Sequence, residues 1–312
     1  MVKFYIMDVS IIIVNFNTKQ LLSNCINSVY EHTKDITFEI IVSDNGSTDG
    51  SIEMIESTFP QVILIKNNVN LGFGAANNKG LKIAKGKYIF YLNSDTILLN
   101  NAVKLFFDYF EKHAEQENLG ALGCNLLDEN LKITNSGGTF PTNSFIITNL
   151  IGDYKQIIKR TLFFFLPDSF SITKGKKIKP HFVEKTGNVD YIIGADLFLP
   201  NNEDARYDEN FFLYFEDTDL NMRLHKKSKN RKLILEPKIQ HLEHKSNKVK
   251  SKLLYYSSFS KIHYTISAIK FLRKYYNNTA SIFISKLLVT LSWISPFLIK
   301  TNFKYLKEIW KI

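Results

Sequence analysis

Residues 38–59 read FEIIVSDNGSTDGSIEMIESTF. The first seven, FEIIVSD (38–44), centre on the apolar run Ile40-Ile41-Val42, as a strand buried on both faces should. The run stops at Asp44, and Asn45-Gly46 supply a tight turn. Ser47, Thr48 and Asp49 then precede SIEMIESTF, and each is a residue type that caps a helix N-terminus. A buried strand, a polar turn and a helix in succession make one βα unit of a parallel sheet.

The pattern repeats on either side. VSIIIVN (9–15) is another buried strand, followed by a helix from Thr18, a candidate N-cap, with Leu21, Leu22, Cys25, Ile26 and Val29 on one face. QVILIKN (61–67) is a third strand. GFGAANNKGLKIAKG (72–86) is a Gly-rich loop entering a helix, and KYIFYLN (87–93) is a fourth strand. NNAVKLFFDYFEKH (100–113) reads as an amphipathic helix, and LGALGCNLL (119–127) as a fifth strand or a turn. Such alternation calls for an α/β fold with a mostly parallel, doubly wound sheet flanked by helices, binding ligands at the strands' carboxyl ends.

Regularity weakens over 136–186. NSGGTFPTNSF (135–145) reads as a loop, and FFFLPDSFSITKGKKIKPHF (163–182) mixes aromatics with a basic run. That region is either a mobile segment over the site or an irregular surface insertion. Order returns in VDYIIGADLFLP (189–200), in FFLYFEDTDLNMRLHKK (211–227) and in a strand pair within KLILEPKIQHLEH (232–244). After Leu253 aromatic, apolar and basic residues alternate. ASIFISKLLVTLSWISPFLI (280–299) is long enough to span a bilayer. Lys286, Pro296 and four serines make it a poor span, and helices lying in the membrane interface fit better.

With 45% hydrophobic and 22% charged residues among 312, the chain can build a packed core and is not generally disordered. Its formal net charge of +10 suits an anionic partner: nucleotide phosphates, nucleic acid or an anionic membrane surface. The basic regions carry no nucleic-acid motif, so no nucleic acid is expected. Cys25 and Cys124 lie in apolar stretches without CxxC spacing, which argues against a disulfide framework and a structural zinc. MVKFYIMDVSIIIVNFN reads as the first strand of a domain and not as a signal peptide, making a cytosolic location the default.

Five clusters carry candidate chemistry. Asp44, at the end of a strand, is placed to accept from a nucleotide base or ribose; the bland reading is a ligand-free turn. NLGFGAANNKG (70–80) sets Gly72, Gly74 and Gly80 around a helix N-terminus, where glycine allows close backbone approach to a ligand. It has neither the Walker nor the dinucleotide spacing and is weak alone. FYLNSDTILLN (90–100) places Asp95 after the fourth strand, where one carboxylate can bind Mg²⁺ or Mn²⁺ if diphosphate oxygens and water complete the shell. YFEDTDLNMRLHKK (214–227) gathers Glu216, Asp217 and Asp219 where a helix begins. The helix dipole alone would favour them there. An Asp219–Arg223 pair at i, i+4 would leave Glu216 and Asp217 at the lip, as a general base for a hydroxyl nucleophile. In IQHLEHKS (239–246), His241 or His244 adds a nitrogen ligand or simply faces solvent.

These segments, in this order, resemble the family 2 glycosyltransferases of GT-A fold over about residues 8–246, and especially rhamnosyltransferase-like enzymes of bacterial surface polysaccharide synthesis. The resemblance implies a GT-A domain over 1–250, with a nucleotide-sugar half (8–130) and an acceptor half (131–250), and the aromatic, basic tail reads as a helical, membrane-associating extension over 251–312. It implies that Asp44 contacts the base or ribose, that Asn15 lies where the nucleotide pocket opens, and that Gly74 and Asn77 line the ribose and diphosphate. Asn93-Ser94-Asp95 stands at the family's DXD metal motif with Asn93 for the first Asp, so Asp95 is the expected ligand. Asp217, beside Glu216, matches the catalytic base. His241 matches a metal- or diphosphate-contacting His, with His244 competing. The implied reaction is inverting transfer of a sugar, dTDP-L-rhamnose being the first donor and UDP-hexoses the alternative. The implied acceptor is a glycan or polyprenyl-diphosphate-linked glycan, met by an enzyme peripheral on the inner face of the cytoplasmic membrane. The Asn at 93 also admits a degenerate, glycan-binding relative.

Overall fold

A computed structural model describes residues 7–164, 186–242, 254–295 and 298–312. His244 and the run at 165–182 lie outside the described residues. The strands are β1 (Met7–Asn15), β2 (Phe38–Asp44), β3 (Ile63–Lys66), β4 (Gly86–Asn93), β5 (Thr96–Leu98) and β6 (Leu119–Cys124). They continue as β7 (Gly137–Gly138), β8 (Gly187–Val189), β9 (Tyr191–Ile192), β10 (Asp196–Pro200), β11 (Asn230–Ile234) and β12 (Ile239–His241). The helices are α1 (Lys19–His32), α2 (Ser51–Thr58), α3 (Phe73–Ile83), α4 (Ala102–His113) and α5 (Asn143–Phe164). After them come α6 (Glu216–Lys226), α7 (Phe259–Tyr275), α8 (Thr279–Trp293) and α9 (Ile299–Lys311).

Eight strands form one mixed sheet in the order β3-β2-β1-β4-β10-β6-β11-β8. The pairs β1/β2, β1/β4, β2/β3 and β6/β11 are parallel, and β10 runs antiparallel between β4 and β6. Side chains alternate across the sheet, so each strand feeds two cores. Val9, Ile11, Ile13, Ile40, Val42 and Phe90 pack with Leu22, Cys25, Ile26 and Val29 of α1 and with Phe106 and Phe110 of α4. Ile12, Ile41, Ile89 and Tyr91 pack on the other face with Leu220 and Leu224 of α6. Cover on both faces explains the apolar runs 11–14 of β1 and 40–42 of β2, and the buried Ser10 donates to Glu39 at 2.6 Å.

The chain divides into two compact units. The described parts of 1–140, 182–212 and 216–246 form the sheet unit. The described parts of 141–181, 213–215 and 247–312 form a helical unit, with α5, α7, α8 and α9. Inside it Ile157, Tyr256 and Leu298 are buried together, and the buried Asn302 donates its amide to the Tyr256 carbonyl at 3.1 Å.

Three local expectations are corrected. The supposed loop at 135–145 turns into α5, because Thr142 starts it: its hydroxyl accepts from the Phe145 N–H (3.1 Å) and its carbonyl from the Ile146 N–H. Thr18 holds the N-cap position of α1 but its side chain does not cap it. The Lys19 N–H instead goes to Asp49 of the neighbouring turn at 2.8 Å. The strands β11 and β12 do not pair with each other: β11 lies between β6 and β8, and β12 pairs with β5.

Candidate active site

Strand order changes direction at β1, with β2 on one side and β4 on the other. That is the switch point at which open α/β sheets bind ligands. The register puts Asn15 opposite Asp44 and Val14 opposite Asn93, so the three strand ends form one rim. A polar chain crosses it. Asn15 Nδ2 donates to Asp44 Oδ2 (2.7 Å) and Ser47 Oγ (3.0 Å), Thr18 Oγ1 donates to Asn15 Oδ1 (2.6 Å), and the Thr18 and Ser94 hydroxyls lie 3.0 Å apart. Asp44 Oδ1 accepts from the Gly46 and Ser47 N–H groups. Both Asn15 and Asp44 are 0% exposed. Both side chains are held by the protein's own groups: three internal donors fix the Asp44 carboxylate as the anchor of the 45–47 turn. The exposed ring is Phe16, directly after β1, at 46%; the sequence reading does not single it out.

The Gly-rich loop is shaped by packing. A Cβ on Gly72, whose φ is +87°, would come within 2.3 Å of the Phe212 carbonyl oxygen, and one on Gly74 within 2.9 Å of Tyr207 Cβ. On Gly80 it would meet Ile12 at 2.6 Å. These glycines admit close approach of the protein's own chain. Asn77 is also turned inward, 1% exposed, donating to the Phe73 carbonyl of its own helix at 3.2 Å. Asn45 ties the loop to the end of β2, bonding Gly72 O (3.1 Å) and Asn67 Nδ2 (3.2 Å).

The opposite side of the rim is made by long-range pairing. After β4 the chain turns at Ser94-Asp95 into β5, which pairs with β12 so that Thr96 faces His241. His241 Nε2 then lies 3.2 Å from Asp95 Oδ1 and 3.3 Å from Asn93 Nδ2. His241 is 7% exposed and the Asp95 side chain 25%. This donor set fits a divalent cation. Two ligands about 2.1 Å from a cation at adjacent octahedral positions stand about 3 Å apart. If Asn93 donates to Nε2, the imidazole lone pair faces a carboxylate, and a cation between them relieves the repulsion. If His241 is protonated, the pair is an ion pair that a cation would displace. Among the described residues no three Asp, Glu, His or Cys side chains converge on one point.

At the start of α6 the adjacent carboxyls diverge. Arg223 Nε donates to Asp219 Oδ2 at 3.0 Å, the pair expected from the i, i+4 spacing. Glu216, expected at the lip, is 5% exposed, and its Oε2 has no hydrogen-bond partner among the described residues. Burial, and then the charge of Asp217, push its pKa well above the usual carboxyl range. Asp217 is partly exposed. Burial raises its pKa too, opposed by donors: Thr218 N–H at 2.6 Å and Thr218 hydroxyl at 3.2 Å on Oδ1, and Gly194 N–H at 3.1 Å on Oδ2. Burial thus favours the proton on Glu216 more than on Asp217, whose charged form these donors support. Ala195, next to Gly194, accepts from the Asn93 N–H at 3.1 Å. One short segment before β10 thus binds the end of β4 and the Asp217 carboxylate. Tyr214 and Phe215, immediately before Glu216, have φ of +66° and +67°. Each costs about 1–3 kcal/mol, and the signature of such strain is a functional junction.

Asp196 is a further carboxyl that the sequence reading absorbs into an apolar strand. It is 0% exposed, and Oδ2 accepts from the Cys124 N–H at 2.7 Å. Burial raises its pKa to about 7, and the charge of His241 is among the influences that lower it.

The profile of the family described as Glycosyl transferase family 2 matches residues 10–168, just over half of the chain. The chain belongs to glycosyl transferase family 2. Proteins similar to it include an uncharacterized glycosyltransferase, YfnE of Bacillus subtilis, 27% identical over 77% of this chain and 66% of YfnE. The poly(ribitol-phosphate) beta-glucosyltransferase of Bacillus spizizenii is 32% identical over 37% of this chain and 19% of its own. The Escherichia coli enzyme WfaP, a UDP-Glc:alpha-D-GlcNAc-diphosphoundecaprenol beta-1,3-glucosyltransferase, is 37% identical over 35% of this chain and 47% of its own. The chain thus spans less than two thirds of the length of each of these relatives. TarS of S. aureus superposes with a TM-score of 0.52 at 12% identity, over 98% of this chain and 55% of TarS. The mannosyltransferase PcManGT from Pyrobaculum calidifontis, in complex with GDP-Man and Mn²⁺, gives 0.53 at 13% identity, over 97% of this chain and 74% of PcManGT. The fold is GT-A, with its C-terminal helices added.

Proposed function

We propose that this chain transfers a sugar, with inversion, from a nucleoside-diphosphate donor to a hydroxyl of a glycan or polyprenyl-diphosphate-linked glycan in surface polysaccharide synthesis. The observation that carries the reading is the convergence at the end of β4, where Asp95 and His241 meet and the Gly194–Ala195 segment ties the same strand end to Asp217. Asp217 acts as the general base: it is ionised, partly open, and its burial raises its basicity towards that of a useful base. Two backbone N–H groups, of Thr218 and Gly194, fix its carboxylate. Glu216 stays protonated behind it and preserves a single charge. Phe16 offers the nucleobase a ring to stack on, while Asp44, through the 45–47 turn, and Asn15 set the shape of that pocket. Asp95 and His241 would hold Mg²⁺ or Mn²⁺. Such an ion supplies Lewis-acid stabilisation of the departing diphosphate.

The names of two relatives specify glucose, one as UDP-Glc, which favours a UDP-hexose over dTDP-L-rhamnose as donor. The same WfaP name supports a lipid-diphosphate acceptor, and with it a place on the inner face of the cytoplasmic membrane. A donor screen tests the whole reading: purified chain, Mn²⁺ or Mg²⁺, and a panel of UDP-, dTDP- and GDP-sugars, read by thermal shift and by nucleotide release. Stabilisation by one nucleotide class with slow release of its nucleotide is expected. A panel that neither stabilises the chain nor is turned over would sink the proposal, and tight glycan binding without release would point to the degenerate relative.

A further inference from the structure

Helix α8 is built inside out. Ser281, Ser285 and Ser292 are buried where the helix packs on its neighbours α5 and α7, whereas Phe283, Ile284, Leu287, Leu291 and Ile294 are 39–55% exposed. A helix on the surface of a water-soluble domain has the opposite arrangement. The buried hydroxyls of Ser281 and Ser292 are satisfied: Ser281 Oγ accepts from Asn143 Nδ2 at 3.0 Å, and Ser292 Oγ donates to the Leu288 carbonyl at 2.8 Å. Ser285 Oγ has no hydrogen-bond partner among the described residues, and Val289 and Trp293 are buried with the serines; the exposed apolar side chains are the ones left for something else to cover.

Helix α9 extends the same face. Phe303 is 60% exposed and Trp310 46%, while Asn302, Leu306 and Ile309 point inward. The Phe283 and Trp310 ring centroids lie 6.3 Å apart, joining the exposed faces of the two helices, and Lys286 Nζ sits 5.7 Å from the Trp310 centroid. The polar flank is cationic. The two helices carry Lys286, Lys300, Lys304, Lys307 and Lys311 against one carboxylate, Glu308, which already pairs with Lys270 at 2.9 Å.

Charge selects the occupant. Two copies meeting through this face in a two-fold contact would bring lysine rims together and repel. An anionic lipid surface attracts the rim and covers the apolar side chains in one step. The geometry also fixes the mode of contact. α8 has 15 residues, about 22 Å of helix, against about 30 Å of bilayer hydrocarbon, and no helix among the described residues is long and apolar enough to cross a membrane.

We propose that the exposed face of α8 and α9 docks on an anionic bilayer surface, with Phe283, Leu287 and Phe303 entering the acyl boundary, Trp310 at the interface and the lysines among the headgroups. The inference stands on these helices alone. It deepens the transferase reading, on which one clause of it rests, namely that a lipid-linked acceptor is met at that surface.

The test is sedimentation of the full chain with vesicles of phosphatidylglycerol mixed with phosphatidylcholine, and with phosphatidylcholine alone. Partition into the anionic vesicles is expected, at least about tenfold weaker on the neutral ones and in high salt. Phe283→Ser with Leu287→Ser and Phe303→Ser should weaken it by at least about tenfold, as should Lys300→Glu with Lys304→Glu and Lys307→Glu. All six positions are exposed, so unchanged melting shows that the fold survives. A wild-type chain that stays in the supernatant, or an apolar triple variant that partitions like wild type, overturns the proposal. So does light scattering that finds a dimer dissociated by the apolar variant without any vesicle binding. Nucleotide release from the donor panel, followed in the same samples, separates this failure from a failure of the transferase reading.

Discussion

His241 Nε2 lies 3.2 Å from Asp95 Oδ1 because β12, from the far end of the sheet unit, pairs with the three-residue strand that follows Asp95. The pairing, not the local sequence, makes the site. Asp95→Ala is expected to abolish the divalent-ion dependence of donor binding, and His241→Ala to weaken ion affinity by at least about tenfold, since even residues that only support ligands account for about 10- to 100-fold. Isothermal titration of Mn²⁺ in the presence of a nucleoside diphosphate checks both. Equal ion affinity in all three proteins would remove the pair from the metal site.

Asp217→Asn should lower turnover by about 100- to 10,000-fold, the usual worth of a general base, with donor affinity little changed. Glu216→Gln tests the neighbour. Burial and the Asp217 charge favour the protonated form of Glu216, so replacing it with a neutral isostere should leave turnover within about tenfold of wild type. Initial rates at saturating donor and acceptor decide the matter, and a reversed ranking of the two variants would transfer the base role to Glu216.

The pH dependence of turnover follows from the same pair. A base works only when ionised, so turnover must fall on the acid side as Asp217 takes up a proton. Burial raises that pKa, and the acid limb should lie above the ordinary aspartate range. Thr218→Val removes one hydrogen bond to the ionised form, so its acid limb should move further up. A profile of turnover against pH for the two proteins shows the shift or its absence.

Much of this was legible in the sequence, and the omissions have physical causes. The strands β1, β2 and β4 announce themselves because helices cover both faces, leaving no polar side to interrupt the apolar run. Asp219–Arg223 was legible because both partners lie on one helix. The inward turn of Asn15, Asp44 and Asn77 was not, since a motif records that a residue sits near a ligand loop but not whether its side chain faces the ligand or the protein. The need for Gly74 was hidden for another reason: the side chain it must clear belongs to Tyr207, far away in sequence. Helix α5 was hidden because Pro141-Thr142-Asn143 reads equally as a turn and as a helix start.

Asp196 makes a prediction about stability. Its folded pKa, about 7, is raised from an ordinary value of 3.8 by burial. Between those values the native state binds the proton more tightly than the unfolded chain. Its contribution is therefore most favourable below about pH 4, declines as pH rises, and levels off above about pH 7, a loss of at most about 4 kcal/mol. Asp196→Asn should flatten this slope, making the variant's stability at pH 7.5 less inferior to, or better than, its own at pH 5 when compared with wild type. Urea unfolding at the two pH values measures it, and an unchanged slope would mean that Asp196 is ionised in the native protein.

The glycines separate packing from ligand binding. Gly74→Ala forces a Cβ to within 2.9 Å of Tyr207 Cβ, and neither atom is the end of a flexible chain. Overpacking of this kind costs about 1–3 kcal/mol, and in a domain of this size each kcal/mol lowers the melting temperature by about 2–4 °C. Gly72→Ala should cost more, because it adds left-handed backbone strain to a 2.3 Å approach to the Phe212 carbonyl. If both glycines serve packing, each variant melts earlier while nucleoside-diphosphate affinity, measured well below the melting transition, stays within about threefold of wild type. A variant that melts like wild type yet loses nucleotide affinity would return Gly74 to the ligand-lining role that the family resemblance implies for it.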